Sequence, residues 1–202
     1  MIVFRAVLLA ACLALAPLAA RAQGSTPLLD TTPNGGNTIP FGGLNPDLGN
    51  RIPARAQANN AGDVLGLVLD GDSVDGADST GRTGLMYAAI NNNMLIGKIL
   101  LEHGAHCDAR DKFGNTALHW AAQNNSLDMI RQLTVFGCPV DAQNRQGVTP
   151  LMMAAEKGRS DAIRMLIAAK ADPRLQDYTG RDAVGWAANG TIAQLLTKGA
   201  AR

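Results

Sequence analysis

The sequence predicts an all-α fold, a solenoid of stacked helix-turn-helix units, and three observations predict it. Thr83, Thr116 and Thr149 open the segments TGLMYAA, TALHWAA and TPLMMAA in steps of 33 residues, and one further step reaches Asp182, which opens DAVGWAA. Glycines keep the same frame at Gly81, Gly114, Gly147 and Gly180, as do the alanine pairs at 88–89, 121–122, 154–155 and 187–188. Aliphatic stripes follow each pair: Ile96, Ile99, Leu100 and Leu101, then Ile130 and Leu133, then Ile163, Leu166 and Ile167. Spacings of three and four residues mark the buried face of a helix. A unit this short cannot bury that face alone, so the copies must stack.

The elements of one unit follow in order. Asp78, Asp111, Asn144 and Asp177 each stand three residues before a frame glycine, the pattern of a tight turn whose glycine takes positive φ. The threonine that follows caps a first helix with its hydroxyl, and Pro150 suits a first helical position. The alanine pair keeps this helix thin, so neighbouring copies can approach closely. The striped second helix ends at Gly104 and Gly137, which suit a left-handed stop, whereas the third copy has Lys170 in that place. The ends deviate, as a capped array requires. Val64, Leu67 and Val68, with Gly71, keep the second half of a leading unit, and the last copy is four residues shorter between its alanine pair and Leu195-Leu196.

The 33-residue period with its T-P-L-H-x-A core resembles the ankyrin repeat, over roughly Ala54 to the C-terminus. The resemblance implies short hairpin tips and the following organisation: a capping half-repeat at 54–77, full repeats at 78–110, 111–143 and 144–176, and a capping repeat at 177–202. It also implies binding of a protein partner, without catalysis or cofactor, through the tips and the concave helix face. Carried onto this chain, the tips are Ser79, Thr80 and Arg82; Lys112, Phe113 and Asn115; Arg145, Gln146 and Val148; Tyr178 and Arg181. The concave shoulder adds Ile90, Asn91, Gln123, Asn124, Glu156 and Lys157. Phe113 and Tyr178 are the candidate aromatic anchors, with packing on neighbouring hairpins as the alternative. Trp120 and Trp186 fall within the first helices, where packing between repeats accounts for them. His119 holds the T-x-L-H place, where the family's imidazole bonds locally and to the next repeat. No nucleophile or acid is placed to make it catalytic.

Residues 1–22 read as a secretory signal peptide: Arg5, an apolar run from Ala6 to Leu15, Pro17 and the small-x-small site Ala20-Arg21-Ala22. The run is shorter than the ~20 residues that span a bilayer. Cleavage before Gln23 sends the protein to the periplasm of a bacterium or outside the cell, and a resemblance to bacterial exported ankyrin proteins accords with that. A secreted effector acting on a host protein is the alternative. Leu9-Ala10-Ala11-Cys12 also resembles a lipobox, so a lipid-anchored envelope protein stays open. Residues 23–53, with five prolines and two Gly-Gly pairs, read as a disordered linker. Removing Arg5 and Arg21 from the 18 basic residues leaves 16 against 17 acidic ones, a net charge of −1. That balance offers no footprint for nucleic acid or anionic lipid, and two capped ends imply a monomer. His103, His106 and Cys107 sit close in sequence, but zinc wants about four ligands, so no metal site is expected. Cys107 and Cys138 fall in adjacent turns at non-equivalent places; a disulfide is allowed, and free buried thiols are the expectation.

Overall fold

The computed structural model describes residues 51–199. The signal peptide, the linker as far as residue 50 and Cys12 lie outside these residues. Among the described residues nine helices follow one another: α1 (Arg51–Gln57), α2 (Ala61–Leu69), α3 (Gly84–Asn91), α4 (Met94–Glu102), α5 (Ala117–Asn124), α6 (Leu127–Val135), α7 (Pro150–Glu156), α8 (Ser160–Ala168) and α9 (Gly190–Gly199). They form two layers. Helices α1, α3, α5 and α7 stack as the inner row, and α2, α4, α6, α8 and α9 as the outer row. The core runs between them as one cluster, from Ile52 and Val64 through Leu118, Ile130 and Leu151 to Leu196.

Local chemistry sets most boundaries. The Thr83 and Thr149 hydroxyls accept from the backbone N–H groups of Met86 (3.4 Å) and Met152 (3.3 Å), three residues into their helices. The alanine pairs of α3, α5 and α7 are fully buried, which lets the inner helices touch nearly backbone to backbone. The turn from inner to outer helix uses a left-handed asparagine at Asn59, Asn92 and Asn125 and a glycine at Gly158. Asn92 and Asn125 also reach forward: their side-chain oxygens accept from Met129 N (3.4 Å) and Ala162 N (3.2 Å) of the next outer helix.

The frame glycines of the first three hairpins, Gly81, Gly114 and Gly147, meet two demands. Gly114 and Gly147 have φ of +81° and +79°, and a Cβ on Gly147 would stand 2.7 Å from the backbone nitrogen of Tyr178. Each hairpin therefore lies against the glycine of the one before it. The Lys112, Arg145 and Tyr178 N–H groups donate to Thr80, Phe113 and Gln146 carbonyls, each at 3.1 Å. At the far turn Gly71, Gly104 and Gly137 are left-handed, and Lys170 takes the same conformation at φ +68°. A Cβ costs about 1–2 kcal/mol there. Lys170→Gly is expected to raise stability by about 1 kcal/mol, read as a higher urea midpoint.

Three expectations are corrected. Arg51, Ile52 and Pro53 belong not to a linker but to α1, which completes the inner row of the leading unit. Pro53 lies in the first turn, where no intrahelical N–H is required, and Ile52 fills the space left by Gly84. Trp186 is not in a helix. Residues 183–186 form a turn instead, because Gly185 weakens an already short segment and the Asp182 side chain accepts from Gly185 N at 2.8 Å. Finally, Cys107 and Cys138 are not free thiols: their sulfurs are joined, with Cα atoms 5.6 Å apart. Cys138 comes 31 residues after Cys107 rather than 33, and this offset along the turn closes the gap between stacked repeats.

Candidate functional site

The four hairpins, at 78–82, 111–115, 144–148 and 177–181, form one rim, and a repeated hydrogen-bond set holds each of them. The Asp111 Oδ1 accepts from the N–H groups of Phe113 and Asn115, both at 2.8 Å, and Asp78, Asn144 and Asp177 do the same in their own turns. The second carboxylate oxygen takes an aromatic donor nine residues on: Tyr87 Oη to Asp78 (2.6 Å), Trp120 Nε1 to Asp111 (3.1 Å) and Trp186 Nε1 to Asp177 (2.9 Å). The third copy has Met153 in place of the aromatic donor. There the turn residue is Asn144, whose amide instead donates to Asn115 Oδ1 at 2.9 Å.

These bonds set the acidity of the turns. Partial burial by itself would raise the Asp78 carboxyl, but donors from Thr80, Tyr87 and Arg82 prevail and hold it at about 2. Asp177 likewise sits well below the usual carboxylate range: donors from Thr179, Arg181 and Trp186 overcome its desolvation. The carboxylates of the rim are thus turned inward, and the rim shows its cations. Arg82 stacks 4.2 Å from the Trp120 ring and Arg181 stacks 4.0 Å from the Trp186 ring. Both tryptophans are half-buried and belong to the rim's support rather than to the deep core.

Most of the sequence-predicted contact residues are exposed or half-exposed. On the tips Ser79, Thr80, Lys112, Arg145, Gln146 and Arg181 are exposed and Arg82 is half-buried. Phe113 and Tyr178 are 63% and 73% exposed, so neither ring is buried by its neighbours. On the shoulder Asn91, Asn124, Glu156 and Lys157 are exposed, and Ile90 and Gln123 are half-buried. Some of these polar groups already have partners. Asn91 donates to the Ala56 carbonyl (3.1 Å), Asn124 to that of Trp120 (2.9 Å), and Lys157 pairs with Glu156.

Asn115 and Val148 are corrections, at 4% and 3% exposed. They share a frame with the accessible Arg82 and Arg181, but contacts with the neighbouring repeats bury them. Asn115 bonds Asn144, and the Val148 carbonyl accepts from His119 Nε2 at 2.9 Å. His119 is itself fully buried. Its Nδ1 accepts from Thr116 N (3.1 Å), so Nε2 carries the proton. Desolvation lowers this imidazole to about 4. The histidines and cysteine close in sequence do not converge. His103 Nδ1 meets the Ile99 carbonyl, His106 pairs with Asp75 at 2.5 Å, and Cys107 is in the disulfide.

Arg110 went unforeseen as a rim residue. Its Nη1 donates to the carbonyls of Gly114 (3.1 Å) and Gln143 (2.5 Å), one in its own hairpin and one in the next. Gln143 repeats the device one unit later, donating to Gly147 (3.0 Å) and Gln176 (2.9 Å). The signal was present in the frame, as long polar donors 33 residues apart.

A family model described as ankyrin repeats, three copies long, matches residues 54–135 and again 120–201. No individual curated protein gives a significant match. The two family matches together span most of the sequence, and they agree with the stacked helix pairs and the hairpin rim. The chain belongs to the ankyrin-repeat family, whose members typically act as binding modules for other proteins.

Proposed function

We propose that the protein is a non-catalytic binding module of the bacterial periplasm that holds a protein partner across its hairpin tips and concave helix face. The observation that carries this reading is the rim itself. It is a rigid row of hydrogen-bonded turns that presents two largely exposed aromatic rings, Phe113 and Tyr178, beside cations. Large rings on a preorganised surface are the usual anchors of protein interfaces. The Cys107–Cys138 bond supports an oxidising compartment and accords with the signal-like N-terminus. A secreted effector working in a reducing host cytosol would lose that bond.

The test is capture of partners from a periplasmic extract by the tagged mature protein, with Phe113→Ala/Tyr178→Ala alongside. Losing two central anchors should weaken retention of the principal partner at least about tenfold. Equal retention by the variant would remove the rim from the interface.

A further inference from the structure

We infer that the cleft between the second, third and fourth hairpin tips is a carboxylate site, shaped to receive an acidic group of a bound peptide segment. This rests on the reading of the tips as the binding rim and names the chemistry of what binds there. The cleft holds about 430 Å³, with Arg110, Gln143, Arg145 and Tyr178 around it and Gly114 in its floor.

The charge in the cleft is one-sided. Asp111 is the acidic residue of its lining, and it is buried with both oxygens occupied, by the Phe113 and Asn115 N–H groups and by Trp120 Nε1. Neither cation of the cleft is answered. Among the described residues Arg110, Arg145 and the neighbouring Lys112 form no ion pair, as is also true of Arg82, Arg131, Arg159, Lys170, Arg174 and Lys198; what sets the cleft apart is that two such arginines line one recess. Arg110 spends only Nη1 on backbone carbonyls, which pins the guanidinium and leaves the rest of its fork open. The Arg145 side chain packs on Gly114, where a Cβ would stand 2.9 Å from its Cγ, and the Tyr178 ring packs on Gly147 in the same way.

The Arg110 guanidinium, held by two carbonyls, and that of Arg145, whose stem packs on Gly114, match a carboxylate in charge and in their forked donors. The exposed tyrosine adds an O–H donor and an apolar face for the chain that carries the acid. Because the Arg110 guanidinium is already held, little of its side-chain freedom is lost on binding.

The experiment follows backbone amide shifts by NMR, in about 100 mM salt, where diffuse attraction is screened beyond roughly 10 Å. The probes are hexaglutamate capped at both ends, hexaglutamine with a free C-terminal carboxylate, and fully capped hexaglutamine. Arg110→Gln is the informative variant: Gln143 shows that glutamine makes the same two carbonyl bonds, so the charge goes and the hairpin stays. Arg145→Ala is its partner, and Arg131→Ala on α6 is the control of equal charge.

Saturable shifts at Arg110, Gly114, Arg145 and Tyr178 are expected with an anionic probe, weakened about tenfold by either cleft variant and not by the control. Response to the first probe assigns a side-chain carboxylate and response to the second a chain terminus. Shifts spread over all basic surfaces, equal effects of the three variants, or no shifts at the cleft would overturn the inference. The rim as a binding surface is judged separately, by repeating the capture experiment with Phe113→Ala alone, since Phe113 takes no part in the cleft that Tyr178 lines.

Discussion

Reduction of the Cys107–Cys138 bond, or its removal in a Cys107→Ala/Cys138→Ala variant, is expected to cost about 3–4 kcal/mol of unfolding free energy. The residues are 31 apart, and opening a loop of that length returns this much chain entropy to the unfolded state. The neighbouring turns show why the bond stands at this joint. Asp75 Oδ1 accepts from His106 N at 2.8 Å, and two units later Asp141 Oδ1 accepts from Asp172 N at 3.0 Å. The equivalent pair between them is Asp108 and Pro139, and proline has no N–H to donate. The disulfide lies one residue away from that missing rung and ties the same two turns. Urea unfolding followed by tryptophan fluorescence, with and without a dithiol reductant, gives the measurement. The wild-type midpoint should fall on reduction to that of the alanine variant, which should itself ignore the reductant. A wild-type midpoint that does not move would show that packing alone holds the joint.

Acidification from pH 6.5 to about 4 is expected to remove about 3 kcal/mol through His119 alone. The folded imidazole is held down at about 4, because it is buried and its Nδ1 is already an acceptor. The unfolded one takes a proton near 6.5. Between those values the unfolded state binds the extra proton, so stability is full above 6.5 and drains as pH falls towards 4. His106 works in the opposite direction. Its bond to Asp75 raises it, so its contribution is present at low pH and lost as pH rises. Comparison with His119→Gln isolates the wanted effect. The variant should be less stable at neutral pH and lose the slope between pH 6.5 and 4. An unchanged slope would mean that His119 is protonated while folded. The turn carboxylates cancel in this comparison: both proteins carry Asp78, which is held at about 2 and begins to lose its contribution near its unfolded value of about 3.8, at the acid end of the window.

The fold was legible in the sequence wherever a residue acts within its own turn of chain. The hairpin glycines, the threonine caps, Pro150 at the start of α7 and the left-handed Gly104 and Gly137 all do their work within about four residues. The 33-residue frame repeats that work often enough to be unmistakable. Even the swap of Asp for Asn144 beside Met153 follows a local rule, since a second carboxylate oxygen is useful only where an aromatic donor can reach it.

The candidate site was half legible for the complementary reason. Position in the frame assigned Arg82, Asn115, Val148 and Arg181 to one surface, yet the middle two are buried. Their fate is set by the neighbouring repeats, through Asn144 of the next hairpin for Asn115 and His119 of the preceding inner helix for Val148, and not by their own sequence neighbourhood. The cleft cations stood out only when every carboxylate near them was found occupied by a backbone or indole donor. By itself, then, the sequence determined the unit, its turns, its caps and its family. The stacking of one unit on the next decided that Ile52 and Pro53 join α1, that Cys107 meets Cys138, which tip residues remain accessible and which charges remain unpaired. The physical reason is range: torsional preference and capping act along the chain, whereas burial and polar pairing depend on what a residue 29 to 37 positions away brings within reach.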